Sequence, residues 1–202
     1  RGHVANMQVL AQRGVNVNVP VGGRPHVAQA AHYGRVRAVR WLLDAGVHID
    51  AREDHDGTTA LHHASQEGHS RVVSVLLERG ADMHARDRNG ASALSYAASY
   101  GRTAVCRLLL VGGADVEHVM LGETPLLSAA VHKHADTLDV LLYFGANVNH
   151  LLGGAHWPAL ALTLLGRAAH ATRVLLAYGA EPANFDEDPQ YKLLRQYIHL
   201  TS

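Results

Sequence analysis

Residues 57–89 read GTTALHHASQEGHSRVVSVLLERGADMHARDRN, and this stretch decides the fold. Gly57 opens it. Thr58 and Thr59 supply hydroxyls that can cap a short helix running from Ala60 to about Gln66, because a threonine oxygen accepts the amides left free at a helix start. Gly68 stops that helix, since glycine takes the left-handed C-terminal position at little steric cost. A second helix from His69 to about Arg79 carries Val72, Val73, Val75, Leu76 and Leu77 as a broad apolar stripe. Gly80 ends it, and an extended excursion leads out to Gly90. Two short antiparallel helices cannot bury that stripe alone. They need copies of themselves on both sides.

The copies are present. The glycine that ends the second helix recurs as Gly14, Gly46, Gly80, Gly113, Gly145 and Gly179, at spacings of 32, 34, 33, 32 and 34 residues. A matching apolar block precedes each one: MQVLAQRG, VRWLLDAG, VSVLLERG, CRLLLVGG, DVLLYFG and RVLLAYG. A fixed period near 33, with a turn and two helices per unit, marks a stacked solenoid. Through GxTxLHxA, GHxxVVxxLLxxGAD and the closing turn, the block from Gly57 resembles the ankyrin repeat, and the resemblance extends over essentially the whole chain. It implies an all-α ankyrin-repeat solenoid of helix-turn-helix units joined by extended, β-hairpin-like loops.

The chain then divides as one domain, 1–202. A partial repeat fills 1–22, repeats fill 23–56, 57–89, 90–121, 122–154 and 155–187, and a capping helix fills 188–202. The first residue is Arg rather than Met, as expected of a piece of a longer protein. In repeat one, ArgProHisVal stands where the family has TPLH, and the exit loop Arg52–Asp56 is one residue long for the pattern. Repeat four puts Lys133 where the earlier units have Gly34, Gly68 and Gly101. That lysine either accepts a left-handed backbone, at about 1 kcal/mol, or reshapes the turn. Near the end, Asp188 and Pro189 are a helix start.

Composition narrows the function. The 18 basic residues balance 18 acidic ones, so no global field draws the chain to nucleic acid or an anionic membrane. No apolar run approaches the roughly 18 residues that span a bilayer. Cys106 is the only cysteine; it excludes an intrachain disulfide, lies in a helix stripe, and suits an intracellular, reducing compartment. The 16 histidines invite a metal hypothesis. His62 and His69 sit where the ankyrin pattern itself has histidine, while His118 and His150 recur at turns, where a solvated polar residue is expected. His132 and His134 flank Lys133 without a third ligand at a matching distance, so no metal and no cofactor is expected. No nucleophile elbow or phosphate-cradling loop occurs, and a thin solenoid rarely offers a pocket of convergent groups, so the chain is not read as an enzyme.

A solenoid offers a long curved surface instead. The resemblance implies that a protein or peptide partner touches the turn tips and the inner helices on the concave side. That maps onto Arg52, Asp56, Glu67, Arg86, Arg88, Tyr100, Met120, Leu121, Glu123, His132, Leu151 and Trp157, with Thr58 and Ala91 in the same row as Glu123. The row is not uniform. Tips one (Arg52–Asp56) and two (Arg86–Asn89) are charged, whereas tips three and four, HisValMetLeu at 118–121 and HisLeuLeuGly at 150–153, are apolar. Tips normally carry Asp, Asn, Gly or Ser, which satisfy turn geometry and face water. The apolar tips with Trp157 therefore predict an anchoring patch, and the arginines predict orientation. The expected function is a non-catalytic, monomeric interaction module of a larger protein. The family also implies two other settings: the substrate receptor of a ubiquitin ligase, as in the ankyrin-plus-SOCS-box type, or the regulatory arm of an enzyme.

Overall fold

The computed structural model describes residues 16–20, 22–150 and 158–181. Leu151, Trp157 and the capping helix expected over 188–202 lie outside the described residues.

Ten helices form five pairs among the described residues. They are α1 (His26–His32) with α2 (Val36–Asp44), α3 (Ala60–Glu67) with α4 (Ser70–Glu78), α5 (Ala93–Ser99) with α6 (Thr103–Val111), α7 (Pro125–Val131) with α8 (Ala135–Tyr143), and α9 (Ala159–Leu165) with α10 (Ala169–Ala177). Odd-numbered helices pack on one another in a row, and even-numbered helices form a second row behind them. No strand occurs among the described residues. The tips contain two isolated antiparallel bridges, Arg86 to Ser92 and Met120 to Glu123.

The first helix of each pair starts at a residue in extended conformation: Pro25, Thr59, Ser92, Thr124 and Pro158. Ser92 Oγ accepts the Ser95 amide at 3.1 Å, and Thr124 Oγ1 accepts that of Leu127 at 3.3 Å. This register corrects the reading of repeat one. Pro25, not Arg24, holds the threonine place of the TPLH box, and the box therefore begins one residue later. A proline suits a helix entrance because φ is already set there and no amide is lost to the helix. It supplies no side-chain cap.

Alanine and leucine divide the interior. Ala31, Ala64, Ala97 and Ala130 are fully buried and let the first-row helices approach closely. Leu42, Leu76, Leu109, Leu141 and Leu175 fill the space between the two rows. Together with Cys106 they belong to one continuous core. Because each repeat lends half of its neighbour's core, truncating one such leucine to alanine costs about 3 kcal/mol.

A second device joins successive repeats. The residue that opens the second helix reaches back over the preceding repeat. His69 Nε2 donates to the His32 carbonyl at 2.9 Å, Arg102 Nε to that of Gln66 at 2.8 Å, and His134 Nε2 to that of Ser99 at 3.1 Å. Each crosses a glycine with φ of 64, 81 or 65°, namely Gly34, Gly68 and Gly101. A Cβ on Gly34 would lie 2.8 Å from the His69 ring, and one on Gly68 would lie 2.8 Å from Arg102 Cδ. Glycine is thus required twice, for its backbone and for its missing side chain.

Lys133 takes the left-handed alternative, with φ 64°. The next repeat explains how it can. In the register of His69, Arg102 and His134 stands Ala168, which has no donor and no ring to lay over its neighbour. The lysine side chain extends instead toward Gly166, where its Cε would lie 2.8 Å from an added Cβ.

Candidate partner-binding surface

The charged tips sort their charges by depth. Asp87 turns inward: Oδ1 accepts the amides of Asn89 and Ala91, both at 2.8 Å, and Oδ2 accepts the Tyr96 hydroxyl at 2.9 Å. Asp56 accepts the amide and hydroxyl of Thr58 at 2.9 and 2.7 Å. Burial pushes the Asp56 carboxyl upward, but these bonds outweigh it and hold it below its ordinary value.

Arg52, Arg86 and Arg88 lie outermost and are exposed. None of them dangles. Arg52 donates to the Gly57 carbonyl at 2.9 Å and also to that of Arg86. Arg88 bonds back to tip one, from its amide to the Asp56 carbonyl and from Nη1 to that of His55, both at 2.7 Å. Arg86 reaches forward to the His118 ring, whose Nε2 donates to the Gly90 carbonyl at 2.7 Å. The tips are sewn together by guanidinium groups.

His118 was expected to be solvated and is not: it is 4% exposed, wedged between tips two and three. Ala51 and Ala85 occupy the same register, and their small size marks an inward position that only the aligned repeats reveal. Sequence reasoning also missed Glu53, which it left undistinguished within the charged exit loop Arg52–Asp56. It is 7% exposed, with both carboxylate oxygens 3.0 Å from Arg24 Nε and with His63 Nε2 donating to Oε2 at 2.9 Å. Burial alone would raise the Glu53 carboxyl. The bonds and charges of Arg24 and His63 outweigh it and hold the group lower.

The remaining expected contacts fall unevenly. Thr58 and Ala91 are buried, so neither can meet a partner directly. Glu123 is half-buried and accepts the Ser128 hydroxyl at 3.0 Å. Glu67 pairs with His32 at 3.5 Å. His132 is exposed, donates Nδ1 to the Ser128 carbonyl at 2.8 Å and stacks on His134 with ring centres 6.1 Å apart. Among the described residues no three His, Cys, Asp or Glu side chains are grouped to hold a metal.

Tyr100, Met120 and Leu121 converge. With Tyr96, Ser99 and Asn89 they line an open groove of about 200 Å³. Tyr100 is 48% exposed and Leu121 is 84% exposed. Leu121 is held up by a tight hairpin turn, in which Met120 and Glu123 exchange backbone bonds of 2.9 and 2.8 Å. Its φ is 50° and that of Gly122 is 86°. Turns with positive φ at both central residues favour Asn-Gly and Asp-Gly, and a branched side chain there costs about 1 kcal/mol. The chain therefore carries a strained leucine at an exposed tip.

Two family models match the chain, one described as ankyrin repeats in many copies over residues 27–77, the other as ankyrin repeats in three copies over 79–152. The chain belongs to the ankyrin repeat family. Human ankyrin repeat and SOCS box protein 3 is 39% identical over 155 residues, covering 72% of this chain and 29% of that protein. The protein of the same name from Bos taurus is 37% identical over 151 residues, again 72% and 29%. A Caenorhabditis elegans homolog of transient receptor potential cation channel subfamily A member 1 is 33% identical over 87 residues, 43% of this chain and 7% of that one. The chain thus spans under a third of the length of these relatives. Ankyrin repeats are non-catalytic protein-interaction modules. Among the described residues no helix is long and apolar enough to cross a membrane.

Proposed function

We propose that this ankyrin array is a monomeric, intracellular module that binds a protein or peptide on its concave surface, anchored at Leu121, Met120 and Tyr100. The observation that carries the reading is Leu121 itself. Stability favours asparagine or glycine in that turn, and water favours a polar side chain at 84% exposure. A leucine that satisfies neither has its use in contact with something else. Strain kept at an exposed position is a reason to look for function there.

The test is Leu121→Asn. The substitution relieves the left-handed backbone, so the melting temperature should hold or rise. Capture of partners from a lysate by the immobilised chain, compared quantitatively with wild type, should fall about tenfold. Unchanged capture by a folded Leu121→Asn chain would remove Leu121 as the anchor.

A second reading places the module as the substrate receptor of a ubiquitin ligase. The similarity to ankyrin repeat and SOCS box protein 3 over 72% of the chain favours it. Co-purification of ligase subunits with the full-length protein tests it, and their absence counts against it. The regulatory-arm reading has a narrower basis: mouse 2-5A-dependent ribonuclease is similar over only 35% of the chain.

A further inference from the structure

We propose that the segment bound on this surface is acidic as well as apolar. An extended stretch would seat one aliphatic or aromatic side chain in the Tyr100–Met120–Leu121 groove and set carboxylates against Arg52, Arg86 and Arg88. The proposal rests on reading that groove as the partner site.

Net charge says nothing here, because the chain is neutral. Depth does. At tips one and two the carboxylates of Glu53 and Asp87 are each 7% exposed, and that of Asp56 is committed to Thr58. Asp54 is the exposed exception, against three exposed arginines. The outermost layer is therefore guanidinium, with its counter-charges folded beneath. Those carboxylates already accept bonds from other groups, Glu53 from Arg24 and His63, Asp87 from Tyr96 and its own turn, and Asp56 from Thr58, which leaves the exposed arginines free to take further acceptors.

Each guanidinium is bound to the neighbouring tip through Nη1 alone. A guanidinium has five N–H donors in a planar fork, so donors remain on every one of them for a carboxylate. Being held already, the side chains lose little freedom when a ligand arrives. A floppy surface arginine would not have this property.

The occupant is a polypeptide rather than a nucleic acid. Phosphate backbones need a sustained cationic stripe. Here the arginines stop at tip two, and tip three offers Val119, Met120 and Leu121 with Glu123 behind them. A peptide can change from acidic to apolar within a few residues, as this surface does.

The experiment selects displayed random peptides of about 12 residues on the folded chain, at about 50 mM salt so that exposed charges are weakly screened. Winning sequences are synthesised and measured against wild type, Arg86→Gln with Arg88→Gln, and Leu121→Asn. Glutamine removes the charge and keeps a polar side chain, the Arg88 backbone bond to Asp56 is unaffected, and thermal melts confirm that each variant is folded. The proposal expects one apolar residue with an excess of Asp and Glu to one side of it. It also expects the glutamine pair to weaken binding about tenfold at low salt and less at about 300 mM. Peptides with no acidic excess, or an unchanged affinity for the glutamine pair, overturn the acidic partner. If those same peptides still depend on Leu121, the groove reading survives. Peptides indifferent to Leu121→Asn sink both. A single-stranded oligonucleotide that competes with the peptides and loses affinity in the glutamine pair would make the partner a nucleic acid and overturn the proposal.

Discussion

The His134 ring lies over Gly101 so closely that a Cβ on Gly101 would come within 2.8 Å of its Cε1, while Nε2 of the same ring holds the Ser99 carbonyl at 3.1 Å. Gly101→Ala must displace the ring, break that bond and force a left-handed alanine. The sum is a loss of about 2–3 kcal/mol, combining backbone strain with overpacking. Urea unfolding measures it. A loss under about 0.5 kcal/mol, the size of an ordinary surface change, would show that the ring moves aside freely.

At the next junction the prediction reverses. Lys133 already carries the backbone strain and nothing comparable covers it, so Lys133→Gly should stabilise by about 0.5–1 kcal/mol. Ala168→His should help only in the Lys133→Gly background, where the new ring has space and the Val131 carbonyl as its acceptor. A double-mutant cycle should give a favourable coupling near 1 kcal/mol. Simple additivity would mean that the two positions do not face each other.

Cys106 provides a probe of opening. It is fully buried, and burial pushes its thiol up to about 12. The thiolate is the reactive form, so alkylation near pH 8 should be negligible in the folded chain and should rise with denaturant in step with unfolding. Rapid labelling of the native chain would contradict the stacking of α6 between its neighbours.

Stability should fall in two stages as the solution is acidified. Burial holds His62 and His63 below their ordinary 6.5, so the unfolded chain takes up protons first and stability falls as pH drops through that value. Glu53 and Asp56 are held below their ordinary values of 4.5 and 3.8, so their contribution is complete above those values and is lost as pH falls further. His63 and Glu53 share a hydrogen bond and titrate as a pair. Melting temperatures from pH 8 to about pH 3 should show both declines; His62→Gln with His63→Gln should flatten the upper one and also lessen the lower one, because His63 helps to hold Glu53 and Asp56 below their ordinary values. A profile level down to about pH 5 would refute this account of the histidines.

The helices were legible because their apolar residues repeat within a single turn, and because Thr59, Gly68 and Gly80 punctuate them locally. For Lys133 the register of Gly34, Gly68 and Gly101 left two outcomes, a left-handed backbone or a reshaped turn, and the chain takes the first. The tips were a different matter. Arg52 meets Arg86, Arg86 meets His118, and Arg24 meets Glu53 across some 30 residues with no local pattern to announce the pairing. Charge alone suggested solvent for all of them. Burial of Glu53 and His118 depends on what the next repeat supplies, which one repeat's sequence does not contain. Leu121 stood out for the opposite reason, as a side chain at odds with its own turn.

The ring or guanidinium that crosses each glycine always comes from the later repeat and grips the earlier one. Synthesis runs in the same direction. As the chain leaves the ribosome, the carbonyls of His32, Gln66 and Ser99 emerge unclaimed, and each stays unclaimed until some 35 more residues have followed. At these three junctions, completing a repeat fastens the one before, so a chain cut short ahead of His69, Arg102 or His134 leaves its preceding repeat without that bond.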